Sequence, residues 1–137
     1  MRILVLLSLL AVGGCVGPRM GMSHYKQCVP YARDVSGIEI YGNAHTWWDK
    51  SYRNNYARGK KPEAGSVLVL SKTKRLKYGH VAVVQRVLSP RKIEVAHANW
   101  GRDFFGRGTI YKSMAVKDVS KNNDWSKVRF WSPESET

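Results

Sequence analysis

A thiol and an imidazole brought together can carry out acyl transfer, and this chain has few of either: two cysteines and four histidines in 137 residues. Cys28 stands two residues ahead of Pro30 in "QCVPYARDVSG". Proline is tolerated in a helix only in the first turn, so Cys28 falls at or just before a helix N-terminus, with Gly37 suited to the C-terminal cap. Free N–H groups and a partial positive charge at that end favour thiolate over thiol, as a nearby imidazolium also would. The chemistry on offer is nucleophilic. A thiolate attacks an acyl carbon, a histidine gives a proton to the leaving amine, and a third polar group fixes the imidazole tautomer. The Cys28 backbone N–H is placed to help hold the developing oxyanion.

His80 and His97 supply the imidazoles. The stretches "HVAVVQRVL" and "KIEVAHANW" read as strands joined by a turn at Ser89-Pro90. In such a hairpin, facing residues have numbers summing to about 179 or 180. His80 then lies opposite Asn99 or Trp100, within about two positions of His97. Alternation puts Ile93, Val95, His97 and Asn99 on one face and Glu94 on the other. His97 or Asn99, rather than Glu94, is therefore the partner for His80. Blander readings of the same residues are structural histidines, a buried inert thiol, or a Cys15–Cys28 disulfide closing a short loop. A metal centre fits poorly, because His24, His45, His80 and His97 form no close-spaced ligand pair with Cys28. No cofactor is expected.

These residues need elements to position them. A second helix is predicted from Asn43, a good N-cap, through "AHTWWDKSYRNNYARG" to about Arg58, with Gly59 ending it. "KPEAGSVLVLS" is a Pro and Gly turn running into a strand, while "RGTIYKSM" and "KVRFWS" are weaker strand candidates. Helices first and then a mainly antiparallel sheet make an α+β domain. The length suits one such domain, and 43% hydrophobic with 11% aromatic residues is a globular composition. Trp47 and Trp48 are expected to pack the second helix on the sheet and Trp100 to close the core. The alternative is that one of these, or Trp125 or Trp131, contacts glycan. "KTKRLKYG", residues 72–79, reads as a solvated loop beside His80 or as a cationic rim for anionic substrates.

Residues 1–14 have the pattern of a signal peptide: Arg2, an apolar run over residues 3–12 too short for a permanent span, then Gly13 and Gly14 before Cys15. That ending resembles the lipobox of bacterial lipoproteins, which implies acylation of Cys15 and a membrane anchor by its acyl chains. Residues 15–21 then form a lipidated tether, 22–132 the folded domain and 133–137 a polar tail. The formal charge of +13 becomes +12 once Arg2 leaves with the leader. Such a surface attracts polyanions. At the cell envelope these are anionic lipids, wall polymers and the carboxylates of wall peptides.

Taken in order, "QCVPYAR", "GNAHTWW", "PEAGSVLVL", "GHVAVV" and "IEVAHANW" resemble the cysteine, histidine-dependent amidohydrolase/peptidase (CHAP) domain over residues 27–100. The family is related to the NlpC-type wall peptidases and has a papain-like α+β fold. The resemblance implies Cys28 as nucleophile, His80 as base, and His97 and Asn99 at the orienting positions. Many members carry glutamate where this chain has His97, while NlpC-type relatives use histidine there. The family's usual aromatic near the end of the first strand is here Leu70. The implied substrate is peptidoglycan, cut either at the amide between N-acetylmuramic acid and the stem peptide or within the stem or cross-bridge. The rival readings are a non-catalytic envelope lipoprotein that binds wall or a protein partner, and an envelope protein that binds nucleic acid. The second would lose affinity steeply with salt; no nucleic-acid motif is present, and no such partner is expected.

Overall fold

In the computed structural model, the residues described are 2–4, 27–100 and 109–131. The expected lipidation site Cys15, His24, the tether and the polar tail lie outside them. Helix α1 (Cys28–Ser36) starts and stops as its sequence dictates, with Gln27 extended at the N-cap and Gly37 left-handed at φ 74°. A 3-10 turn (Ala44–Thr46) leads into α2 (Trp47–Arg53). Here the sequence reading is corrected twice. Asn43 makes no side-chain cap; instead the Thr46 hydroxyl donates back to the Asn43 carbonyl at 2.6 Å. The helix ends at Arg53, not near Arg58, because Asn55 takes φ 61°, a conformation that asparagine tolerates and a helix cannot continue through.

The sheet is a six-stranded antiparallel meander: β1 (Arg2–Leu4), β2 (Val67–Leu70), β3 (His80–Ser89), β4 (Lys92–Ala98), β5 (Ile110–Asp118) and β6 (Val128–Trp131), in that order. Strands β2 to β6 match the sequence expectation, β5 running four residues beyond "RGTIYKSM". Strand β1 does not. It belongs to the stretch read as a leader, yet Arg2 pairs opposite Val69 and Leu4 opposite Val67. An unbroken apolar run has no period to separate strand from helix, so pattern alone could not foresee it.

Two cores lie on the two faces of the sheet. Val67, Val69, Val81 and Val83 pack under the helices with Ala32, Ile38, Ile40, Ala44 and Trp47. On the other face Leu68, Leu70, Ala82, Val84, Ile93, Val95, Met114 and Val116 meet one another and Trp125. This is why "VLVL" is buried at every position: β2 has a core on both sides. Among the described residues no helix covers the second face. Register shifts in the β3–β4 and β4–β5 ladders mark the irregularities that let a sheet curl. The loop after β5 then plugs the hollow with Trp125, held by its backbone N–H to the buried Asp118 carboxylate at 3.3 Å.

Candidate active site

Cys28 is the first residue of α1 and is a free cysteine, so it is not held in the disulfide considered above. It packs against the helix-side core. Burial pushes its thiol above the ordinary value, and the backbone N–H groups of Val81, Val29 and Cys28 itself pull the other way without cancelling that. The helix N-terminus therefore does not suffice to make a resting thiolate, which corrects the expectation from sequence.

His80 opens β3, where two features fix its place. Opposite it in β2 is Leu70. Before it, Gly79 has φ 71°, and a Cβ there would stand 2.4 Å from the Leu70 carbonyl oxygen and 2.8 Å from the His45 nitrogen. Only glycine fits. The same loop is tied down at Tyr78, whose carbonyl accepts the His45 backbone N–H at 2.9 Å and lies 3.2 Å from His45 Nδ1. Lys72, Lys74, Arg75 and Lys77 ride on this loop, all exposed.

The hairpin register at its inner end is Val83 opposite Ala96 and Val84 opposite Val95. Continued outward, it sets His80 across from Asn99 and two positions from His97, the expected placement, although the turn lies one residue later, at Pro90-Arg91, and two register shifts in the ladder make up the difference. His80 Nε2 and His97 Nδ1 are 2.9 Å apart, with the residues 2% and 0% exposed. On its far side, His97 Nε2 lies 3.2 Å from the Met114 sulfur. Trp100 covers His80 at 4.7 Å between ring centroids, and Phe130 and Tyr111 flank His97, each at 5.4 Å.

This dry setting decides the charge state. Burial, and secondarily the neighbouring His97, hold His80 well below the usual imidazole value. Burial alone lowers His97 to about 4. Both rings are neutral at pH 7, so there is no resting imidazolium to draw a proton off Cys28. Sulfur and imidazole belong to neighbouring elements on opposite faces of the sheet: Cys28 packs with the helix-side core, while His80 shares its face with Leu70 and Ala82. The described hydrogen bonds include no direct one between them.

Asn99 does something different from His97. It sits past the end of β4 at φ 61°, and its amide donates to the Gln27 side-chain oxygen at 2.6 Å, tying the hairpin to the residue before Cys28. Glu94 is on the opposite face, as alternation predicts, bonded to Arg86 and Ser113. Gln27 and Met114 are the neighbours that sequence reasoning missed. Gln27 lies within the quoted "QCVPYAR", whereas Met114 stands opposite Val95 in the β4–β5 ladder, the next same-face position to His97. Of the tryptophans, Trp47 and Trp125 are buried; Trp48 and Trp100 are partly exposed, and the Trp131 side chain lies outside the described residues.

An α+β fold with a thiol at a helix start and an imidazole opening the adjacent strand defines a class, and the chain belongs to it: the CHAP domain family model matches residues 18–99. Among its relatives, staphylococcal secretory antigen SsaA of Staphylococcus epidermidis is 36% identical over 87 residues. Staphylococcal secretory antigen ssaA2 of Staphylococcus aureus is 33% identical over 87 residues. Each alignment takes in 61% of this chain but only 32% and 30% of those proteins, so the chain spans about a third of the length of these relatives.

Proposed function

We propose that the domain is a papain-like cysteine amidohydrolase or peptidase that cuts peptidoglycan through a thioester intermediate. The observation that carries this reading is the buried His80–His97 pair, 2.9 Å apart, on a strand packed against the helix that Cys28 opens. In the reaction His80 takes the thiol proton as sulfur attacks the acyl carbon, so that no free thiolate is needed beforehand. The Cys28 N–H stabilises the oxyanion. Collapse breaks the C–N bond, and the amine leaves with the proton from His80. Water, giving its proton to the same ring, then hydrolyses the thioester and frees the thiol. His97 orients His80, and Asn99 holds Gln27 and hence the start of α1. The exposed cations of residues 72–77 supply a rim for the carboxylates of wall peptides, whichever of the two bond classes is cut.

Export is part of the same reading: it rests on the apolar stretch before Cys15 and on relatives named as secretory antigens. Acylation of Cys15 would hold the protein at the membrane beside its substrate. The test is digestion of purified peptidoglycan by the full chain in detergent, beside Cys28→Ala, with mass spectrometry of released fragments. Fragments that require Cys28 name the bond by their termini; release that survives Cys28→Ala refutes the thiol mechanism. In cells, Cys15→Ser should move the protein out of the membrane fraction, and unchanged retention would refute the lipid anchor.

A further inference from the structure

We propose that Met114 is a positioning residue: its sulfur fixes where the protons sit on both buried imidazoles, leaving His80 Nδ1 as the basic atom. The proposal rests on the thiol-hydrolase reading only for its consequence in turnover; its premise is hydrogen-bond bookkeeping.

A thioether sulfur has lone pairs and no hydrogen, so it can only accept. Met114 lies 3.2 Å from His97 Nε2, and Met114 and His97 are 3% and 0% exposed, which leaves no water to take the sulfur's place. His97 must therefore carry its proton on Nε2. A neutral imidazole has one proton, so His97 Nδ1 is a lone pair, and it faces His80 Nε2 at 2.9 Å. Two lone pairs at that distance would repel, so His80 carries its proton on Nε2. The remaining nitrogen of His80, Nδ1, is then unprotonated, as the proposed reaction requires of the base that takes the proton of Cys28. When it does, the imidazolium keeps the Nε2–H to His97, and no other proton has to move. The opposite arrangement, with His97 Nδ1–H donating to His80 Nε2, would set a lone pair against the Met114 sulfur and put the His80 proton on Nδ1, where it blocks the base.

A carboxylate at position 97 would accept from His80 without any such help, because it has no proton to misplace. Histidine there introduces two possible proton arrangements, and Met114 selects between them. Phe130 and Tyr111 stack beside His97 but do not reach its Nε2 with any described hydrogen bond.

The experiment is nitrogen-15 NMR of the full chain in detergent, labelled at histidine, at pH 7.5, for wild type, Met114→Leu and Met114→Gln. Long-range nitrogen–proton correlations report which ring nitrogen holds the proton, independently of turnover. The expected result is Nε2–H on both rings in wild type and a shift of the His97 proton toward Nδ1 in Met114→Leu. In Met114→Gln, whose amide oxygen can accept, the wild-type pattern should return. Turnover on peptidoglycan should follow, with kcat falling roughly tenfold to a hundredfold in Met114→Leu, KM little changed, and recovery in Met114→Gln. Nδ1–H on His97 in wild type, or an unchanged pattern in Met114→Leu, would overturn the proposal. If Met114→Leu does not fold, the wild-type spectrum and Met114→Gln still decide it. The expected proton pattern in a protein that hydrolyses nothing would uphold the role of Met114 while refuting the hydrolase reading.

Discussion

Acid should unfold this protein earlier than its carboxylates alone would dictate, because two imidazoles are buried neutral. His97 falls from an ordinary 6.5 to about 4 on folding, by burial. The sign follows from proton counting: between those values the unfolded chain binds a proton that the folded chain refuses, so stability present above pH 6.5 is lost as the pH drops toward 4. For this one group the loss is about 2 kcal/mol at pH 5 and about 3 kcal/mol at pH 4. His80, lowered by burial and by His97, adds to it in the same direction. Glu94, held down by its bond to Arg86, and Asp124, held at about 2 by Ser126, lose their contributions only at lower pH. The window from pH 7 to 5 therefore belongs mainly to the histidines. Urea unfolding followed by tryptophan fluorescence should show a midpoint lower by roughly 1 M or more at pH 5 than at pH 7. In His97→Gln, which cannot titrate, that difference should shrink by about the 2 kcal/mol assigned above. Equal pH dependence in the two proteins would refute the claim that His97 is held neutral by burial.

Alkylation of Cys28 by iodoacetamide, read by mass spectrometry of the peptide containing it, should keep accelerating past pH 9, since its thiol is raised by burial and faces no imidazolium. In His97→Glu a buried carboxylate beside His80 should favour the imidazolium and bring a reactive plateau down to neutral pH; a wild-type plateau near pH 5 would show a resting ion pair instead. Gly79→Ala should cost about 2 kcal/mol or more, because φ 71° and the close Leu70 and His45 backbone leave no room for a Cβ. Turnover should fall with it as His80 shifts, and a stability within error of wild type would refute that placement.

Local chemistry made much of this legible in the sequence. Pro30 and Gly37 bracket α1 because each acts on its own backbone position. Counting from a Ser89-Pro90 turn brings His80 and His97 together, but the turn is Pro90-Arg91, with Ser89 opposite Lys92, and two register shifts in the β3–β4 ladder bring the pairing to the expected count. What failed to read through was non-local or competitive. The Cys28 thiol state is a contest between a helix end and burial, and only the packed structure weighs the two. The different partners of His97 and Asn99 depend on Asn99 leaving the strand for a left-handed conformation. Met114 carries no signal in sequence, since its place opposite Val95 and diagonal to His97 depends on the β4–β5 pairing register, which no local pattern sets.

The replacement of an acid by His97 changes how the proposed reaction begins. A carboxylate behind His80 would stabilise the imidazolium and allow a thiolate–imidazolium pair to stand ready. A neutral ring supplies no charge, and the surrounding Trp100, Phe130 and Tyr111 supply no water to compensate. Charge separation is then unfavourable until an acyl group lies against Cys28, when proton transfer and attack can proceed together and the new negative charge moves to the oxyanion. A thiol that stays protonated between substrates also resists oxidation, which is useful if the protein is exported as proposed, since thiols there are ordinarily drawn into disulfides. Reactivity with alkylating and oxidising reagents should accordingly rise in His97→Glu in parallel. If oxidation of Cys28 by dilute peroxide is equally fast in wild type and variant, the protective part of this reasoning fails.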